Sequence, residues 1–340
     1  MVLSSARVDS AASNMFNFLT MRFLFTLLFL SVAGSVPLGM QRRSDKRTAE
    51  VRAIAFLTRE VPAWSKNNGC FSCHNDGDAA RALYAASRKG YAIPQNALNA
   101  TTAWVSQPNI WEQNKGDPGF SDKTLSSVQF ASALLAAFEA GQVKDRQPLE
   151  VAARKLIAEQ ATDGAWRIEP DSALGSPTTW GTTLTTSMAM KVLQQDGSDK
   201  SIEASRRAGA WLSRVTPNSV LTAATLIVAT TGGLDQLTQK QRRQSLNLLR
   251  AGQTSDGGWG PYAKSPPEVF DTAMALLALN EVRKEAGVDD LIRRGRVFLV
   301  SQQQVDGSWI ETTRPSGGES YAQRLSTTGW ATLALLMTGN

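Results

Sequence analysis

Gln253-Thr254-Ser255-Asp256-Gly257-Gly258-Trp259 decides the fold, because the pattern occurs three times. It recurs as Gln303-Gln304-Val305-Asp306-Gly307-Ser308-Trp309 and as Gln160-Ala161-Thr162-Asp163-Gly164-Ala165-Trp166. Each copy ends an amphipathic helical segment. Asp-Gly supplies a turn, since glycine accepts positive φ without a Cβ clash. The Trp is large enough to plug the gap between neighbouring helices. A repeat of this kind is a supersecondary unit that buries its apolar face only by stacking on its neighbours.

A second, almost uncharged kind of segment alternates with the first. Asp271-Thr272-Ala273-Met274-Ala275-Leu276-Leu277-Ala278-Leu279 is echoed by Asp78-Ala79-Ala80-Arg81-Ala82-Leu83-Tyr84-Ala85-Ala86. The same frame fits 129–137, 185–193 and 327–335, and 220–228 more loosely. The first helix reads from Ser44 to Glu60. The pairing predicted is 47–62 with 77–88, 96–114 with 124–140, 147–160 with 183–195, 201–214 with 219–231, 238–251 with 270–284, and 288–302 with 326–338. A helix that is apolar nearly all round must be buried on every side. Six such helices in a ring with amphipathic ones outside meet that demand. The expectation is an all-α chain, an α/α toroid of about six helical hairpins over residues 46–340.

Q-x-x-D-G-x-W turns followed by D-T-A-x-A-L-x-A-L helices resemble the repeats of the squalene–hopene cyclase and protein prenyltransferase superfamily, over about residues 47–340. The resemblance implies the toroid. It also implies two chemistries, and the residues for each are missing. The cyclases protonate a terpene with the middle aspartate of D-x-D-D-T-A. Asp271-Thr272-Ala273 aligned on the end of that motif is preceded by Glu268, Val269 and Phe270. The donor position is then Phe270, and general acid catalysis needs a titratable group. The prenyltransferase branch uses an Asp, Cys and His zinc site, and no histidine follows His74. Asp78 and Asp271, at equivalent inner-helix starts, are a candidate carboxylate pair of the glycosidase kind. An Asp at a helix start more commonly serves as a cap or dipole partner.

Gly69-Cys70-Phe71-Ser72-Cys73-His74-Asn75 holds both cysteines and the single histidine of the 340-residue chain. C-x-x-C-H is the spacing of covalent c-type haem attachment. Cys70 and Cys73 would form thioethers to the porphyrin vinyls, and His74 would ligate the iron. A structural zinc site wants four N/S ligands, and there is no second pair. A thioredoxin-like motif belongs beside a βαβ unit, and the flanks here are helical. A disulfide or free dithiol stapling the turn stays open. In the repeat scheme this segment stands where other hairpins carry D-G-x-W, so haem would replace the Trp plug. Three residues into each frame come Arg81, Ser132, Met188, Ala223, Met274 and Trp330, projected to one level of the ring. Met274 and Met188 are candidates for a sixth, thioether ligand, against their ordinary use as core filler. Arg81 is placed to face a haem propionate.

The 36 Lys+Arg against 30 Asp+Glu give +6, spread along the chain. Nucleic-acid binding wants a clustered basic face, so that class is excluded. With 42% hydrophobic residues the chain can bury a large core. Residues 1–45 read as an N-terminal extension and signal peptide: Met21-Arg22, an apolar region at 23–33, then small residues. That run is shorter than the ~20 apolar residues a spanning helix needs, and the start could be Met1, Met15 or Met21. The protein is expected to be exported, periplasmic or secreted, touching membrane only through the signal segment. Export agrees with haem c, which is attached outside the cytoplasm. The sequence therefore points to a monohaem c-type electron-transfer or redox-sensing protein with a redox partner protein. The alternatives are a non-haem toroid holding an apolar ligand and, third, a terpenoid or glycan enzyme.

Overall fold

The computed structural model describes residues 38–115, 122–170, 174–230, 239–312, 314 and 320–339, with side chains from Ala49 onward. The expected apolar region at 23–33 lies outside them, while 38–45 of the expected N-terminal extension belong to the first helix. The packed unit runs from Arg42 to Asn340. Among the described residues there are α-helices and no strand: α1 (Leu38–Asn68), α2 (Ala80–Arg88), α3 (Asn99–Val105), α4 (Lys123–Glu139), α5 (Gln147–Glu159), α6 (Gly181–Asp196), α7 (Asp199–Leu212), α8 (Val220–Thr230), α9 (Gln239–Gly252), α10 (Val269–Glu281), α11 (Val288–Gln302) and α12 (Tyr321–Thr338). The nearly uncharged helices form the ring. α2, α4, α6, α8, α10 and α12 each pack on the next, and α12 returns to α2. α5, α7, α9 and α11 lie against their outer faces. The α/α toroid is thus the fold.

The three repeated turns are built alike. Gly164, Gly257 and Gly307 have φ of 101, 91 and 94°. A Cβ at Gly307 would sit 2.3 Å from the Arg52 carbonyl oxygen, so glycine is required twice over. Trp166, Trp259 and Trp309 are fully buried. Their ring N–H groups donate to the carbonyls of Leu156, Leu249 and Leu299 at 2.9, 2.7 and 2.7 Å. Their backbone N–H groups donate to Thr186, Thr272 and Thr328 of the following inner helix. The turn's glutamine amide spans to the next outer helix: Gln160 to Ala204 O, Gln253 to Leu291 O, and Gln303 to Ala49 O at 2.8 Å. The last bond closes the outer layer from α11 back to α1. A buried Arg296–Glu50 pair at 2.8 Å crosses the same seam, and Thr338 fills another valence of the guanidinium.

Two elements depart from the sequence reading. α1 runs through Pro62 to Asn68, although a proline lacking N–H weakens a helix interior. Gly69, at φ 65°, is what ends it. The stretch expected as one helix over 96–114 is instead a 3-10 turn at Gln95–Ala97, α3, and a second 3-10 turn at Pro108–Gln113. Pro108 cannot donate the bond that would continue α3.

Candidate functional site

The hairpin without a D-G-x-W turn is joined differently. After Gly69 the chain is pinned by Asn114, whose side chain accepts from Phe71 N at 2.9 Å and donates to Phe71 O at 2.6 Å. Phe71 stacks on Trp104 with centroids 4.6 Å apart. Ser72 then caps a π-helical turn, Cys73–Ala79, that leads into α2. Its hydroxyl accepts from the N–H groups of His74 and Asn75, while its own N–H donates to Asp76 Oδ2 at 3.0 Å. This is a reciprocal cap. Single π-helical turns recur at functional sites because the wider turn re-aims side chains.

His74 is half-buried at the head of the inner ring. Ser326 of α12 donates its hydroxyl proton to Asp78 Oδ2 at 2.7 Å, and the same oxygen lies 3.2 Å from His74 Nδ1. Since the hydroxyl proton goes to the carboxylate, the imidazole Nδ1–H is the donor to Ser326. Asp78 also accepts from Gln129 of α4 at 3.1 Å. Nε2 faces the thiol side, 3.7 Å from Cys73 Sγ. Burial alone would lower the imidazole pKa; the neighbouring Cys73 and Asp78 outweigh it and raise it to about 10. Cys70 is buried, Cys73 partly so, and neither is in a disulfide. α12 reaches the π turn because Gly329 has no side chain; a Cβ there would lie 3.1 Å from Ala79 Cα. Beside the motif, Asp76 accepts from Thr101 at 2.6 Å. Burial, partly offset by its two hydrogen bonds, pushes its pKa up to about 7.

At the position equivalent to Asp78, Asp271 is fully buried. The Arg314 guanidinium holds it by two bonds, at 2.7 and 3.1 Å, and also pairs with Glu268 and the Gly175 carbonyl. Burial still raises Asp271 to about 6, against the pull of Arg314. Phe270, at the cyclases' proton-donor position, is fully buried and packs edge-on against Trp330, which packs the same way against Trp180. The two carboxylates, Asp78 and Asp271, are therefore held inside separate hydrogen-bond sets and not exposed across a cleft.

Ala223 is not among the residues that line the ring-axis cavity, whereas the other five of that frame position, Arg81, Ser132, Met188, Met274 and Trp330, come together. They line one cavity of about 160 Å³ on the ring axis, bounded further out by Arg88, Glu139, Lys191 and Glu281 near the ends of the inner helices. Cys70, Cys73 and His74 are not among its lining residues. The two methionines thus share a cavity with Arg81 and not the surroundings of the imidazole. The Arg81 guanidinium lies 4.4 Å over the Trp330 ring and 4.0 Å from Asp78 Oδ1.

Sequence reasoning missed Ser326, Asp76 and Arg314. Gln129 was within reach, because it opens the same frame as Asp78 on the adjacent inner helix. Ser326 sits one residue before its frame, and Arg314 lies in a connection with no periodic signal.

With this geometry in hand, the chain compares with known proteins as follows. The squalene-hopene cyclase C-terminal domain matches residues 215–340. A type II terpene cyclase from Scytonema is similar in structure at a TM-score of 0.60 and 14% identity, covering 88% of this chain and 99% of that one. An unsaturated glucuronyl hydrolase specific for heparin gives 0.61 at 10% identity over 87% and 97%. An ent-copalyl diphosphate synthase from Streptomyces platensis gives 0.53 at 16% identity over 77% and 50%. Comparison with curated proteins gives no match. The protein is an all-helical toroid of the terpene cyclase-like kind, and at these identities the likeness is one of fold.

Proposed function

We propose that this protein is an exported monohaem c-type cytochrome-like protein, built on a cyclase-like toroid, that transfers electrons or senses redox state. One observation carries the reading: the imidazole is oriented as a ligand. A metal-ligating histidine commonly gives its other ring N–H to a carboxylate or its relay, which fixes the tautomer. His74 gives Nδ1–H to Ser326 and through it to Asp78, and turns Nε2 toward the Cys73 thiol. Cys70 and Cys73 would hold the haem, His74 its iron, and the group would supply one-electron chemistry. As a ligand His74 would be neutral and would keep its proton on Nδ1 for Ser326. Met188 and Met274 line a cavity that leaves out His74, so the proposal rests on a single protein ligand. Phe270 at the donor position supports the loss of cyclase chemistry. Export follows from the N-terminal pattern and suits haem attachment; a redox protein is the implied partner.

Producing the chain with haem-maturation machinery and recording a reduced-minus-oxidised spectrum tests this. Sharp absorption bands of c-type haem are expected. A featureless spectrum from folded protein would leave the toroid as a binding module without haem.

A further inference from the structure

A second hollow lies off the ring axis, where the starts of α6 and α8 meet the end of α7. Its volume is about 450 Å³, inside the range of roughly 300–1,000 Å³ of small-molecule sites. Trp180, Trp211 and Tyr262 stand in its walls. Trp180 is fully buried, Trp211 is half-buried and Tyr262 is 51% exposed. None of the described lining residues is charged, and the cysteine turn does not border the hollow.

The polar lining groups fall into two sets. Thr182 Oγ1 accepts from Ile168 N–H at 3.1 Å, and the Ser219 hydroxyl donates to Thr222 Oγ1 at 2.9 Å and accepts from Thr222 N–H at 3.1 Å. Those groups serve the scaffold. The Trp211 ring N–H, the Thr183 and Thr216 hydroxyls and the Asn218 side-chain amide also line the hollow, and they have no partner among the described residues. An apolar occupant would take water from these groups and leave them unmet. An anion would find no cation there.

The backbone bends sharply to make this wall. Trp180 has φ 55°, the one positive φ outside glycine among the described residues. Its N–H donates to the Ser176 carbonyl at 2.9 Å, and a Cβ on Gly175 would lie 2.0 Å from its carbonyl oxygen. The indole packs inward, its ring centroid 5.6 Å from that of Trp330. Strained backbone persists where the surroundings over-determine it, and it gathers at ligand sites. α6 begins directly after it, with Thr183 on the wall of the hollow.

We propose that this hollow binds a neutral saccharide of mono- or disaccharide size. A pyranose with equatorial hydroxyls has an apolar C–H face that packs on an aromatic ring, and a rim of hydroxyls that both donate and accept. Trp211 and Tyr262 supply the aromatic surface, and Thr183, Thr216 and Asn218 supply partners for the rim. The site goes beyond the haem reading and does not depend on it, since a chain without either cysteine would keep it.

The test is calorimetric titration of the whole chain with cellobiose, with cellobiouronate, which differs by one carboxylate, and with benzamide, which is flat and carries a single amide. Saturable binding of cellobiose is expected, with both other probes weaker. Trp211→Ala should weaken cellobiose about tenfold or more, as loss of an aromatic anchor does. Asn218→Ala, at an exposed position outside the helices, should weaken it about threefold through one lost hydrogen bond, and serves should Trp211→Ala not fold. No saturable binding of cellobiose, binding of cellobiouronate or benzamide as tight as that of cellobiose, or unchanged cellobiose affinity in either folded variant would each overturn the proposal.

Discussion

Three hairpins of this toroid are joined by a turn that ends in a buried tryptophan, and one is joined by Cys70–Asp78. In the first kind the tryptophan and glutamine donors are spent within the scaffold. Trp309, for example, bonds through its ring to Leu299 and through its backbone to Thr328, while Gln303 reaches α1. In the second kind the chain widens to a π-helical turn, leaves two thiols unpaired and spends Ser326, Asp78 and Gln129 on orienting one imidazole. The same place in the repeat is structural in one case and arranged around a reactive group in the other. Substitutions can separate the two.

The largest effect is expected at the seam. Gly307→Ala puts a Cβ 2.3 Å from the Arg52 carbonyl oxygen and forces a non-glycine residue to φ 94°. The loss should reach about 4 kcal/mol or more, in the range reserved for broken cores and strained backbone. Urea unfolding would show it, and a variant within about 1 kcal/mol of wild type would mean that the outer layer does not close there. Next comes Trp259→Phe, which keeps an aromatic plug but strands the Leu249 carbonyl. About 1–3 kcal/mol is the cost of an unmet buried polar group. No measurable change would deny the tryptophan its hydrogen-bonding role.

The cysteine turn should respond to pH where the tryptophan turns do not. Asp76 has its pKa raised from 3.8 to about 7, so the folded state binds that proton more tightly. Its contribution is complete below about pH 4 and is lost as the pH rises to about 7. Asp76→Asn can turn its amide to keep Ser72 and Thr101, and should flatten the fall in stability over that window by on the order of 1–3 kcal/mol. Asp271, raised to about 6, and His74, raised to about 10, keep part of the slope in the variant. Denaturation midpoints at pH 5 and pH 8 measure it, and an unchanged slope would assign the whole effect elsewhere. The smallest effect is predicted for Gly69→Ala. Its φ is 65° but no atom lies within 4 Å of the added Cβ, so only the left-handed backbone penalty of about 1–2 kcal/mol applies.

How much of this was legible follows from where the signals are periodic. The D-G-x-W copies and the apolar frame gave the hairpins and the ring, because both depend on spacing along the chain. The level shared by Arg81, Ser132, Met188, Met274 and Trp330 followed from the same frame and is seen as one cavity wall. What spacing could not convey is which way a side chain turns when the helix is not regular. The π turn at Cys73–Ala79 shifts the register between the cysteine motif and α2. The expected meeting of His74 with Met188 or Met274 assumed that both faced one haem, and the structure puts the methionines on a cavity without the histidine. Arg314 lies in a connection, where only a tertiary contact reveals that it clamps Asp271.

The most direct measurement is a haem stain on a denaturing gel, run on protein made with haem-maturation machinery. Thioether bonds survive unfolding, whereas a merely coordinated haem is lost. The wild-type chain and Trp259→Phe are predicted to stain alike, and the chain with both Cys70→Ala and Cys73→Ala not at all. A wild-type band without stain, while the same protein is folded and helical, would contradict the assignment of the cysteine turn.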